Sequence, residues 1–263
     1  MCAVMLTVQV RNSIINVLIY NTMKKSILMM LAAALTMGLS ASCDICEIGC
    51  GKPATCPDGA VDLGLSVYWA TCNLDASKPE EYGGCYQWAG TEDVTSTSIY
   101  LDWNNCPYHS GLEKEGWTKY IPSDKAGYWS GGGSPDNKTI LDLEDDIARV
   151  KLGGKWRMPT DAEWEELADS CDWVWMEQNG VNGYKITGKK PGYTDKFIFL
   201  PAAGYRYFEN LLNVGSICRY WSSSLSVDFP SKAYNVYFTS ENLFCYYSER
   251  YIATPIRPVS DIN

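Results

Sequence analysis

The chain has one histidine, His109, and six phenylalanines in 263 residues. A single imidazole leaves general acid–base work to carboxylates, tyrosines or thiols and removes multi-histidine metal sites. No Gly-x-Ser-x-Gly elbow, phosphate-cradling glycine loop or His-Glu-x-x-His helix occurs, so the usual hydrolase, nucleotide and zincin signatures are missing. His109 stands in a loop beside Pro107 and Tyr108, without an acid or nucleophile nearby, and reads as solvated. Basic residues are also scarce, 22 against 31 acidic for a net charge of −9. Such a balance repels phosphate backbones and anionic membrane surfaces, which excludes nucleic acid as a partner. No internal repeat of 20 to 50 residues is visible.

The apolar run from Ser26 to Gly38 is shorter than the ~20 residues needed to cross a bilayer. Met23-Lys-Lys25 precedes it and Leu39-Ser-Ala-Ser-Cys43 follows. Basic, apolar and small-residue regions in that order make a secretory signal, and the boundary cysteine resembles the lipobox of bacterial lipoproteins, whose thiol is acylated. Ser40 stands where that pattern more often has leucine. Residues 1–42 are therefore expected to be an upstream extension plus a lipoprotein signal peptide. Met23 opens a complete signal by itself, so residues 1–22 read as an over-long gene start. Residues 43–59, rich in Cys, Gly and Pro, read as a lipidated tether, and residues 60–263 as one domain. The expected location is the outer membrane and cell surface, with the lipid on Cys43 as the only membrane contact.

Of 11 cysteines, Cys2 lies upstream and Cys43 at the lipobox, which leaves nine. An odd number cannot all pair within the chain. Export permits disulfides, and Cys46, Cys50 and Cys56 are near enough for a local bridge, but spacing leaves the pairing open. A pair of Cys-x-x-Cys knuckles is lacking, so neither metal nor cofactor is expected.

Ser66–Cys72, Cys85–Trp88, Tyr184–Thr187, Lys196–Leu200, Ala233–Phe238 and Leu243–Tyr247 have the β-branched and aromatic content of strands. Pro79–Tyr82 and Asp142–Val150 read as short helices with acids toward their starts; the second acid group also has the composition of a calcium cluster, with dipole compensation the simpler account. Thr160 and Glu163 form a capping box, with Trp164, Leu167, Ala168 and Cys171 as one helical stripe. From 91 to 137 the pattern dissolves, yet Trp103, Trp117 and Trp129 argue against full disorder, and Gly131-Gly-Gly-Ser-Pro135 should be flexible. Strands, helices and then more strands give an α+β expectation with a mostly antiparallel sheet.

Several blocks combine into a pattern. Val61-Asp-Leu-Gly-Leu-Ser-Val-Tyr-Trp-Ala-Thr-Cys-Asn73, Glu80-Glu-Tyr-Gly83, Tyr86-Gln-Trp88, Trp156-Arg-Met-Pro-Thr-Asp-Ala-Glu-Trp164, Leu200-Pro-Ala-Ala-Gly204, Tyr220-Trp-Ser-Ser-Ser224 and Arg257-Pro-Val259 resemble the Fibrobacter succinogenes major paralogous domain family of exported proteins. The resemblance implies a C-type-lectin-like α+β fold, related to formylglycine-generating enzymes, with two main helices and a twisted sheet. It implies no defined activity. Ser134-Pro-Asp-Asn137 and Trp103-Asn-Asn105 only partly echo the triplets that bind calcium and sugar in such lectins. An oxidase of the formylglycine-generating type would need Cys218 and Cys245 to converge as a copper pair.

Between the framework blocks lie aromatics and arginine without alternation. Tyr205, Tyr207, Phe208, Asn210, Ile217, Arg219, Phe244, Tyr246 and Tyr247 are the candidate ligand-binding residues, since tyrosine and arginine give rigid, amphipathic contact area. The expected role is a non-enzymatic binding or adhesion module for a glycan or a surface protein. The resemblance adds that such C-terminal stretches can be targets of sequence diversification. The alternatives are a structural subunit of a pilus or surface assembly, and the oxidase.

Overall fold

Two adjacent residues with left-handed backbone, Asn179 (φ 51°) and Gly180 (φ 83°), turn the chain between Gln178 and Val181. Asn-Gly is the pair that tolerates positive φ at both centres of a two-residue hairpin. The resulting hairpin belongs to a chain built mainly of short strands. The computed structural model describes residues 56–111, 115–128 and 133–262. The predicted leader, the lipidation residue Cys43, Cys46, Cys50, Trp129 and Gly131–Gly132 lie outside the described residues.

In chain order the strands are β1 (Ala60–Val61), β2 (Val67–Ala70), β3 (Cys85–Gln87), β4 (Trp156–Arg157), β5 (Cys171–Gln178), β6 (Val181–Gly188) and β7 (Phe197–Pro201). Then follow β8 (Tyr205–Tyr207), β9 (Asn210–Leu212), β10 (Cys218–Leu225), β11 (Lys232–Phe238), β12 (Leu243–Glu249), β13 (Ala253–Pro255) and β14 (Val259–Asp261). The α-helices are α1 (Ile147–Leu152) and α2 (Asp161–Ser170). Strands pair antiparallel in four sheets ordered β1-β2-β14-β4, β10-β11-β12, β3-β13-β8-β9 and β5-β6-β7. No helix among the described residues is long and apolar enough to cross a membrane.

This overturns the expected α+β, C-type-lectin-like architecture with two main helices and one twisted sheet. Among the described residues the fold is mostly β, in four small antiparallel sheets, with two α-helices of six and ten residues. Pro79–Tyr82 is a turn, because Glu81 bonds back to the Ser77 and Lys78 amides at 2.7 and 3.2 Å instead of opening a helix. The acids of 142–145 likewise serve ion pairs and tyrosine hydroxyls, so α1 starts only after Asp146, whose carboxylate caps it by accepting from the Arg149 amide. Cys171 is buried in one cluster with Trp164 and Leu167, as the stripe predicts, but it lies just beyond the end of α2. It opens β5, where Trp173 and Trp175 alternate with exposed Val174 and Met176.

The β10-β11-β12 sheet separates two apolar clusters. Tyr220, Val236 and Phe238 face Trp69, Trp164 and Leu167, whereas Trp221, Leu225 and Ala233 face Trp88, Trp117 and Tyr120. Indole N–H groups tie the elements together: Trp88 donates to the Ser222 carbonyl at 2.9 Å, Trp221 to Tyr86 at 2.9 Å and Trp164 to Trp221 at 3.2 Å. Ser222–Ser224 form a bulge in β10. There the Ser223 amide leaves β11 for the Pro159 carbonyl at 2.7 Å, and the Ser223 carbonyl accepts from Leu141 at 3.0 Å. Bulges of this kind bend a strand and redirect its pairing. Thr160 and Glu163 complete their capping box directly beside it.

Arg257 is fully buried and donates to Asn73 Oδ1 at 3.0 Å and to the Ala70 and Phe199 carbonyls at 2.9 and 2.7 Å. Arg257→Leu removes all three bonds and leaves buried acceptors unpaired, so the unfolding free energy should fall by about 3 kcal/mol or more; a loss below about 1 kcal/mol in urea titration would contradict this role. Burial works against the Glu163 charge, but the Arg157 guanidinium (2.5 and 2.8 Å) and the Thr160 amide hold its carboxyl below the usual glutamate range. Its stabilisation is complete above the unfolded value of ~4.3 and disappears as pH falls through the lower folded value. Glu163→Gln should therefore flatten the acid limb of stability against pH.

Candidate functional site

Alternation within β8 places Tyr205 and Tyr207 on one side and Arg206 on the other. Arg206 is 2% exposed, while both tyrosines are half-buried. Inward, the Arg206 guanidinium donates to the Val94 carbonyl, to Thr97 Oγ1 at 2.9 Å, and to the Ile99 and Glu209 carbonyls at 3.3 and 3.2 Å. The preceding Gly204 (φ 71°) must be glycine, since an added Cβ would lie 2.2 Å from the Leu212 carbonyl. The framework block before β8 therefore aims the tyrosines.

Outward, Tyr205 meets Arg219 of the neighbouring sheet. The Arg219 guanidinium lies 4.1 Å from the Tyr205 ring centroid and 5.4 Å from that of Tyr237. Tyr237 in turn stacks on Phe244 at 6.5 Å, and register puts Arg219, Tyr237 and Phe244 in one row across β10, β11 and β12. The adjacent row of the same face is Trp221, Asn235 and Tyr246. Phe244 and Tyr246 are 42% and 38% exposed. Arg219 Nη1 donates to Ser248 Oγ at 3.2 Å, which also accepts from Asn235 Nδ2 at 2.9 Å. No carboxylate of the described residues pairs with Arg219, and its Nε and Asn235 Oδ1 are buried without partners. The result is a row of ring faces around a cation that is positioned but not neutralised.

The other predicted residues divide. Tyr207 and Phe208 join a second aromatic group, with Phe208 stacked on Tyr100 at 4.7 Å and Tyr207 on Tyr251 at 6.0 Å. Phe208 holds φ 53° at the β8–β9 turn, a conformation in which a bulky side chain is strained. Asn210 is exposed opposite Tyr207. Ile217 contributes backbone, its carbonyl accepting from the Gly204 amide at 2.9 Å. Tyr247 takes the opposite register face from Tyr246, beside Tyr234, although its ring stacks on Tyr246 at 4.9 Å and lies tilted against Phe229 at 5.3 Å. Tyr237, Asn235 and Ser248 were missed as site residues. Alternation along 232–238 was the available signal, since it sets Ala233, Asn235 and Tyr237 on one face.

Other chemistry is already engaged. His109 is half-buried rather than solvated, its Nδ1 accepting from the Gly111 amide at 3.0 Å and its ring against Trp117 at 4.5 Å. Asp142 and Asp145 each pair with Lys119 at 2.6 Å, and Asp145 also accepts from the Tyr108 and Tyr120 hydroxyls. Asp136, part of the lectin-like echo, accepts from the Tyr120 and Ile121 amides at 2.8 Å. Among the described residues no group of three metal-ligating side chains occurs. Cys218 and Cys245 sit on β10 and β12 with β11 between them, two spacings of about 4.8 Å and beyond the reach of a close pair. Cys218 is fully buried, whereas Cys245 is exposed.

Comparison with family models, with curated proteins and with solved structures returns no match for this chain.

Burial pushes the Cys218 thiol well above its usual range, and the thiolate is the reactive form. Maleimide treatment of the native chain should leave Cys218 unmodified while exposed Cys56 reacts. Labelling of both at similar rates would contradict a sealed thiol.

Proposed function

We propose that this chain is a non-enzymatic binding module of the cell envelope, anchored through a lipid on Cys43, and that its ligand is a saccharide. The observation that carries this reading is Arg219, set between Tyr205 and Tyr237 beside exposed Phe244. Ring faces suit the apolar C–H faces of sugar rings, and side chains with few rotors lose little entropy on contact. The frame supports such a role because Arg206 and Gly204 fix the β8 tyrosines before any ligand arrives. The sequence blocks resembling the Fibrobacter succinogenes major paralogous domain family fit an exported protein of this kind.

A second reading, a subunit of a surface assembly, is favoured by β12. It is an edge strand with exposed Phe244, Cys245 and Tyr246 and contains neither lysine nor proline, the residues that commonly block edge-to-edge pairing. An oxidase of the formylglycine-generating type has no close Cys218–Cys245 pair to rest on, because β11 lies between their strands.

A glycan array tests the first reading. The intact chain should bind a defined subset of saccharides, and Phe244→Ala and Tyr246→Ala should each weaken binding by about 1 kcal/mol or more without lowering the unfolding midpoint. Folded protein that binds no saccharide, yet elongates into assemblies, would favour the second reading.

A further inference from the structure

The chain carries an excess of acid, 31 against 22 basic residues, and many of its cations are engaged internally. Lys119, Lys138, Lys151, Arg157 and Lys232 pair with carboxylates, and Arg257 spends its guanidinium on carbonyl and amide oxygens. Arg219 does neither. Among the described residues its guanidinium makes one protein hydrogen bond, from Nη1 to Ser248 Oγ. Its Nε is buried without a partner, no side chain or carbonyl of the described residues engages Nη2, and the residue as a whole is half-buried.

We propose that Arg219 receives the carboxylate of an acidic sugar, a hexuronic acid residue or a similar carboxylated pyranose, whose ring lies along Tyr237 and Phe244. The inference rests on the saccharide-binding reading above and specifies its ligand. A guanidinium and a carboxylate form charge-assisted, paired hydrogen bonds, and two tyrosine faces already restrict the guanidinium, so less freedom is lost on binding. The half-buried position strengthens the pair relative to one in open water. A single cation in a chain of net charge −9 suits one carboxylate and disfavours a phosphate dianion or a polyanion. The row of Tyr237 and Phe244, with Tyr246 beside it, supplies the platform for the apolar ring face.

The test is calorimetric titration of the intact chain with a glucuronic acid-terminated trisaccharide, its methyl ester and the glucose-terminated analogue. The acid should bind about tenfold more tightly than either neutral form, with the preference shrinking as salt rises. Arg219→Gln should reduce that preference to within about twofold while weak binding of all three persists. Arg219→Lys keeps the charge without the planar fork and should give an intermediate preference. Phe244→Ala should weaken acid and neutral ligands alike. Equal binding of acid and ester by the wild type overturns the carboxylate assignment but leaves saccharide binding intact. Retention of the preference by a folded Arg219→Gln variant overturns it as well. Absence of binding to all three, and to the glycan array, removes both the assignment and the reading beneath it.

Discussion

The structure depends on arginines that are buried without a carboxylate. Arg206, Arg250 and Arg257 are among its largest fully buried side chains, and none is ion-paired within the described residues. A buried charge left alone is expensive. Here the cost is offset by carbonyl oxygens and ring faces: Arg250 lies 3.7 Å from the Trp117 ring centroid and 4.7 Å from that of Trp88, and donates to the Pro230 carbonyl at 3.3 Å. Burial lowers its pKa to about 10, so it stays charged at neutral pH. Each guanidinium gathers carbonyls from segments far apart in sequence, which suits a fold of short strands and long connections.

Arg206 matters most for function. By binding carbonyls of the 94–99 loop and of Glu209 it fixes the β8–β9 hairpin onto that loop. The same side chain orients Tyr205 and Tyr207 by alternation. Tyr205 then meets Arg219 across the boundary between two sheets. A fully buried arginine thus positions the ring partner of a half-buried one.

Much of the local structure was legible. The Thr160–Glu163 capping box and most long strands follow from backbone preference and side-chain alternation, which act over few residues. The architecture was not. Cys171 follows Leu167 at helical spacing, so the first residue of β5 reads as helix, and Ser222–Ser224 lack the apolar pattern of β10 because a bulge directs their backbone to Pro159 and Leu141. Division into four sheets depends on such long-range bonds, which sequence periodicity does not encode. For the site, aromatic and arginine content pointed to Arg219, Phe244 and Tyr246, which strand register sets on one face, and to Tyr205, which packs on Arg219 from the neighbouring sheet. Tyr237 escaped because it read as ordinary strand, and Tyr247 was included although its register face is the opposite one.

The decisive measurement is hydrogen exchange across the whole chain in wild type and Arg206→Met. If the buried guanidinium couples frame to binding face, residues 94–99 and 205–212 should lose amide protection together, with β5–β6 unchanged. Protection that stays as in wild type in both segments, or falls in only one, would contradict that coupling.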